Sequence, residues 1–508
     1  MAFIGFEFGE WALRRLYKFF EGFKRYRFTL NRGKLSAKTE RSNRAGKWWG
    51  QDQQWYPGGT PPRLKNRVTP LIDGENYFTE LKKALDGAEN YVYIAGWVLT
   101  PYIPVGRDSS DQLRHERITD LLDTVSKKAA VRILLWNGAN FIFKPNRKET
   151  AQVKKELEAA ITGDFKIILD DSQHITHCHH QKAVVIDGRV AFVGGMDLTS
   201  FAGDRFDSND HPLRSGLNWH DVQLKLEGEI VADVEKNFRQ RWEAVAPGPL
   251  KPLPHREPPN DPDWHLPAQV IRTIPRRVYK FAEKGEFGIH HSYLNLIAGA
   301  KHFIYLENQY LWSPHILKAL KKAIQKPRSA PLRIVIVLPA HADDGKYDND
   351  RHVNELRNLD KGRGIVSFYT LYTSGPGMGI HPFTYRGIYV HSKTTIVDDE
   401  WFSVGSANLN NRGLVTDSEI NVLVHDPELT KSLRVNLWAE HLKMTPAAVR
   451  ACTVEELVGK VWKEQADRNE AILKEKKEPF YSSLFPYQVG RMPDSWLLEE
   501  FETLTFEH

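Results

Sequence analysis

An internal duplication constrains this 508-residue chain more than any other feature. The run Tyr91-Val-Tyr-Ile-Ala-Gly-Trp97 is echoed 212 residues later by Phe303-Ile-Tyr-Leu-Glu-Asn-Gln-Tyr310. Lys182-Ala-Val-Val-Ile-Asp187 returns 211 residues on as Lys393-Thr-Thr-Ile-Val-Asp398, and the apolar run 131–136 is matched by 332–337. Helix-like segments, 77–88 and 293–300, precede the first pair. Apolar strands alternating with helical patterns imply α/β units. The expected fold is therefore α/β: two similar lobes, each a mixed or mostly parallel sheet flanked by helices, with one active site shared at their interface. The expected divisions are an arm at 1–57, a first lobe at 58–246, a connector at 247–267, a second lobe at 268–445 and a tail at 446–508. Eight prolines between Pro247 and Pro267 exclude helix and central strand from the connector. The tail carries a charged, helix-prone stretch at 454–477.

Each half also carries His-x-Lys-x-x-x-x-Asp: His180, Lys182 and Asp187 in the first, His391, Lys393 and Asp398 in the second. Gly194-Gly195-Met196-Asp197 and Gly405-Ser406-Ala407-Asn408 follow at the same distance. Extended backbone turns residues i and i+2 to one side, so each histidine and its lysine point together. A lysine ammonium suits a phosphate oxygen, and an imidazole can attack phosphorus or protonate a leaving oxygen. The glycines allow backbone to approach an anion, and Asn408, Ser406 and Asp197 stand at candidate phosphate-binding positions. The chemistry asks for no cofactor and no metal. Asp187 and Asp398 lie an odd number of steps from their lysines and are expected to be structural.

An imidazole base works best when a carboxylate holds its far nitrogen. Glu419 starts an apolar run 28 residues after His391, and Asp221 starts the matching run in the first half. The expectation is that Asp221 orients His180 and Glu419 orients His391.

Charge is uneven. The formal net is +6, yet residues 1–48 hold twelve Lys/Arg against four Glu, so the remaining 460 sum to −2. That balance disfavours a nucleic-acid binder with a basic body. No window reaches the roughly 18 apolar residues of a membrane span, and the interrupted amino terminus is no secretory signal. In the arm, Phe6, Phe8, Trp11, Phe19 and Phe20 interleave with Arg14, Arg15 and Lys18. It reads either as a helix lying in an anionic lipid surface or as a helix packed on the body. Two cysteines make no disulfide framework. The expected location is cytoplasmic or at the membrane periphery, and export without a signal peptide is compatible with the same residues.

Over about residues 58–445 the chain resembles the phospholipase D superfamily, whose signature is this duplicated motif. Ile304-Tyr-Leu-Glu-Asn-Gln-Tyr310, Trp219-His-Asp221, Gly203-Asp-Arg-Phe-Asp207 and Ser418-Glu-Ile-Asn421 are similar to blocks of the phosphatidylcholine-type enzymes. The resemblance implies a ping-pong reaction through a phosphohistidine on His180, with His391 protonating the departing alcohol and water or another alcohol completing the reaction. It implies a phospholipid membrane surface as substrate and no nucleic-acid partner. Asp197 stands where the superfamily pattern usually carries Asn, and Gly195 where it often carries Ser. The alternatives are a nuclease or other phosphodiesterase of the same superfamily, and a cardiolipin-synthase-like phosphatidyltransferase. From another class, a metal-binding protein would use His174, His177, His179 and His180, although adjacent His179 and His180 fall on opposite faces of an extended run.

Overall fold

The computed structural model describes residues 54–490, apart from 109–110, 140–144, 174–176, 201–202, 215, 251–260, 262–263, 329–331, 342–345 and 378–381. The aromatic–basic arm up to residue 53, most of the proline-rich connector, His174 and the last 18 residues lie outside the described residues.

The first lobe runs β1 (Asn66–Ile72), α1 (Asp73–Asp86), β2 (Tyr91–Gly96), α2 (Ile118–Ser126), β3 (Ala130–Trp136), α3 (Arg147–Ala160), β4 (Phe165–Asp170), β5 (Ala183–Ile186), β6 (Val190–Gly194), β7 (Asn218–His220), β8 (Val222–Gly228) and α4 (Ile230–Val245). The second runs β9 (Ala268–Ile274), β10 (Glu286–Phe287), α5 (Gly288–Gly299), β11 (Phe303–Glu307), α6 (Pro314–Gln325), β12 (Arg333–Val337), α7 (Lys346–Asp360), β13 (Val366–Pro376), β14 (Phe383–Val390), β15 (Thr394–Val397), β16 (Trp401–Gly405), β17 (Glu419–His425) and α8 (Pro427–Leu442). The first sheet has the order β1-β8-β6-β5-β2-β3-β4, and the second contains β9-β17-β16-β15-β11-β12-β13, the same order strand for strand. In each of these seven-strand orders, the three strands linked by helices are parallel and the rest antiparallel.

Local sequence explains several elements. β2 and β11 are buried along their whole length, as central strands covered on both faces must be. Asn146 caps α3 by accepting from the Lys148 and Glu149 amides, while Glu149 accepts from the Asn146 amide. Ser313 and Asp426 cap α6 and α8, each followed by a proline in the first turn.

The lobes share one core. Ile230, Val234, Phe238 and Trp242 of α4 join Tyr93, Val193 and Leu224 of the first sheet with Val270, Ile396, Val404 and Val422 of the second. The tail packs on the second lobe: its helix Trp462–Glu475 brings Trp462 edge-on to Trp438 at 5.2 Å, and β18 (Leu484–Pro486) pairs with β13.

The motif aspartates play matching parts. Asp187 and Asp398 both adopt the left-handed conformation, φ +55° and +57°. Asp187 accepts hydrogen bonds from the amides of Glu89, Asn90 and Tyr91 at 2.7–2.9 Å. Asp398 accepts from Lys301, His302 and Phe303 at 2.7–2.8 Å. Each ties the turn after the motif strand to the start of its central neighbour, β2 or β11. Removing such an acceptor strands the buried amide that opens the strand, Tyr91 or Phe303, and leaves the other two to water. Asp187→Ala and Asp398→Ala should each destabilise the protein by about 2 kcal/mol in urea unfolding.

Candidate active site

Residues 178–182 run extended into β5, and residues 391–393 into β15, each with its histidine and lysine two apart. What they run beside decides the site. The His180 amide donates to the Ser418 carbonyl at 2.9 Å, so the first motif lies against the second lobe. The His391 amide donates to the His220 carbonyl at 2.8 Å. It continues β14, which pairs in parallel with β7 of the first half.

The carboxylates follow this crossing. His180 Nδ1 meets Glu419 Oε1 at 2.9 Å, and His391 Nδ1 meets Asp221 Oδ2 at 2.7 Å. Both carboxylates are the expected ones, but the pairing expected within each half is wrong: Asp221 orients His391 and Glu419 orients His180. The reason is that each motif hydrogen-bonds to the strand start of the opposite lobe.

The four cationic groups act on one another. Burial, then Lys182, Lys393 and Arg412, hold His180 well below its ordinary range. His391 is pushed well down by burial, then by Lys393, Arg205, Lys182 and His180. Each histidine is depressed in part by the other half's lysine. Lys393, whose ammonium donates to the His391 carbonyl, is lowered by burial to about 7. Lys182 donates to the His180 carbonyl at 2.9 Å and pairs with Asp197 at 2.9 Å.

Burial raises Asp221 to about 6 and carries Glu419 well above the carboxylate range, against the pull of the lysines. The Ser406 hydroxyl donates to Glu419 Oε2. The Val222 amide donates to Asp221 Oδ1 at 2.9 Å, so each carboxylate turns its other oxygen to a histidine Nδ1. A proton held on Nδ1 leaves the Nε2 lone pair free to face the site.

The candidate phosphate-binding residues divide. The Ser406 hydroxyl donates to Glu419 Oε2, which corrects its expected role as an anion donor. Asp197 accepts from the Trp97 amide at 2.9 Å and the Val98 amide at 3.4 Å as well as from Lys182, so the acid is held by three donors. Asn408 is 6% exposed, and its Oδ1 has no hydrogen-bond partner among the described residues. At Gly195 a Cβ would lie 2.1 Å from Asp221 Oδ1. No side chain fits there while that carboxylate holds His391.

His179 and His180 turn to different partners. His179 lies 3.0 Å from Asp170, which also meets Arg241 at 3.0 Å and accepts from the Tyr279 hydroxyl. Arg241 and Asn237 bind Gln181, so this buried network clamps the first motif from behind. The two histidines therefore do not form the chelate of the metal-binding alternative. Sequence reasoning also missed Arg205, which stacks 3.5 Å above the Trp219 ring beside His391. It sits inside the block 203–207, which was the available signal.

A family model described as "Phospholipase D" matches residues 84–218, and one described as "Cardiolipin synthase, PLD-like domain" matches 293–440. The two matches fall on the two halves that complete one another's His–carboxylate pairs. The chain belongs to the phospholipase D superfamily. It is 27% identical over 472 residues to phospholipase D A of Dictyostelium discoideum, covering 76% of this chain and 36% of that one. It is 24% identical over 491 residues to phospholipase D alpha 4 of Arabidopsis thaliana, covering 73% and 64%. Against phospholipase D1 of Saccharomyces cerevisiae it is 25% identical over 502 residues, covering 75% and 29%. The chain thus spans less than two thirds of the length of each of these relatives.

The histidine shifts have a direct check. In an NMR titration, the imidazole of His180 should titrate below pH 6.5 in the intact protein. Replacing Lys393 by Met removes a like charge, so the His180 midpoint should move upward, towards its ordinary value. An unmoved midpoint would mean that the second half's lysine does not share the site.

Proposed function

We propose that this chain is a phospholipase D-type phosphodiesterase, converting glycerophospholipids to phosphatidic acid and a headgroup alcohol, by hydrolysis or by transfer to another alcohol. The observation that carries this reading is the pair of crossed His–carboxylate couples beside two buried lysines. Superfamily membership and relatives named as phospholipases D support it.

In the mechanism, Lys182 and Lys393 bind the phosphodiester oxygens. The substrate's negative charge offsets theirs and lifts the depressed histidines. His180 Nε2, its Nδ1–H held by Glu419, attacks phosphorus. The bond to the headgroup oxygen breaks, and His391 donates its Nε2 proton to that oxygen while Asp221 supports the imidazolium. His391, now neutral, takes a proton from water or an alcohol, whose oxygen attacks the phosphohistidine and releases His180. The proposed setting is a phospholipid surface reached from the cytoplasm or by peripheral attachment. No helix among the described residues is long and apolar enough to cross a membrane.

The reading is tested with phosphatidylcholine vesicles containing ethanol, beside single-stranded DNA. Phosphatidylethanol should form, and His180→Ala or His391→Ala should each lower its rate about 10³-fold or more. Cut DNA with untouched lipid would refute the reading in favour of a nuclease.

The crossed pairing adds a second test. A p-nitrophenyl phosphodiester has a leaving group that needs no proton. Asp221→Asn should slow lipid cleavage roughly 10–100-fold but spare this substrate, whereas Glu419→Gln should slow both. The reverse pattern would restore the pairing within each half.

A further inference from the structure

Behind the Asp221–His391 couple lies a second buried cluster that the proposed reaction does not use. Asp73 begins α1, His211 lies in the loop before β7, His220 ends β7, and Glu440 is near the end of α8. All four side chains are at most 2% exposed. Asp73 Oδ1 is 2.9 Å from His220 Nδ1, and Glu440 Oε1 is 3.0 Å from the same nitrogen. His211 Nε2 is 3.3 Å from Glu440 Oε1 and 3.5 Å from Asp73 Oδ2. A tetrahedral zinc-type ion, with bonds of about 2.0–2.1 Å, sets its ligand atoms about 3.3–3.4 Å apart.

The surroundings complete the pattern. His211 Nδ1 faces Asp207 Oδ2 at 2.8 Å, and His220 Nε2 faces Glu307 Oε2 at 3.1 Å. A carboxylate on the far nitrogen is what fixes tautomer and orientation in metal-binding histidines. Glu440 Oε2 is taken by the Asn209 amide at 2.6 Å, leaving Oε1 for the centre. Asp73 Oδ2 is buried with no hydrogen-bond partner among the described residues, and it points at His211.

The competing arrangement is a pair of imidazolium ions, since the surrounding acids raise His211 to about 10 and His220 well above its usual value. It suits the two approaches to His220 Nδ1, at 2.9 and 3.0 Å, but not those to His211 Nε2, at 3.3 and 3.5 Å. Charged N–H···O bonds measure about 2.7–2.9 Å, shorter than either approach of His211 Nε2, and that state leaves Asp73 Oδ2 unsatisfied. A divalent ion satisfies both and cancels the two carboxylate charges with neutral imidazoles.

We propose that Asp73, His211, His220 and Glu440 bind a divalent transition-metal ion of zinc's chemistry. With four protein ligands and no open position the site is structural. It joins the first lobe to α8 of the second. It also lies directly behind the carboxylate that orients His391, because the Asp73 amide donates to the Asp221 carbonyl at 2.8 Å and Asp73 Oδ1 accepts from the Asp221 amide at 3.2 Å.

The test uses the full chain produced in zinc-supplemented medium and purified without chelator. Elemental analysis across manganese to zinc should find about one ion per chain. Chelation should lower the melting temperature by roughly 5 °C, and added zinc should restore it. His211→Gln and Glu440→Gln should lose the ion while His177→Gln keeps it, and cobalt(II) should give the visible bands of a tetrahedral site. A folded wild-type chain without stoichiometric transition metal, and with a melting temperature indifferent to chelator and zinc, would overturn the proposal. So would zinc retained undiminished in both ligand variants. If those variants fail to fold, the wild-type metal content and melting shift decide it alone.

Discussion

Two backbone hydrogen bonds, His180 to Ser418 and His391 to His220, govern the rest of the site. Each lays the extended motif of one half along a strand start of the other. Neither lobe holds a complete His–carboxylate couple by itself, because Glu419 serves the first histidine and Asp221 the second. The shared core, with α4 between the sheets, is what keeps these two contacts in register. Chemistry and lobe packing are consequently one structural problem.

Burying two lysines, two histidines and two carboxylates together is costly unless every polar atom finds a partner. The fold meets that demand with layers of support. Ser406 holds Glu419, the Trp97 amide and Lys182 hold Asp197, and the Asp170–His179–Arg241–Gln181 network clamps the first motif. Satisfied networks of this kind specify one arrangement and resist relaxation. The same desolvation, with the neighbouring lysines, lowers both histidines.

Much of this was legible in the sequence because duplication repeats its signals. The paired apolar runs fall on β2 and β11, β3 and β12, β5 and β15. The i, i+2 spacing correctly placed each histidine with its lysine, and the position of Asp221 and Glu419 at matching strand starts marked them as the carboxylates. The assignment of carboxylate to histidine was not legible. A duplicated sequence is symmetric to exchange of its halves, so pairing within a half and pairing across halves look the same. Spacing reports only the glycine-flanked position of Ser406, which suits an anion donor, whereas its rotamer is set by Glu419 on the neighbouring strand β17.

The sequence alone therefore determined the α/β duplication and singled out the candidate histidines, lysines and carboxylates, since these depend on local periodicity and on residue type. Only the tertiary structure decided which lobe completes which histidine. It alone brought Asp73, His211, His220 and Glu440 within 4.8 Å of one another across 367 residues of chain. No periodicity links such positions, because contacts between elements are set by how sheets and helices pack and not by spacing along the chain.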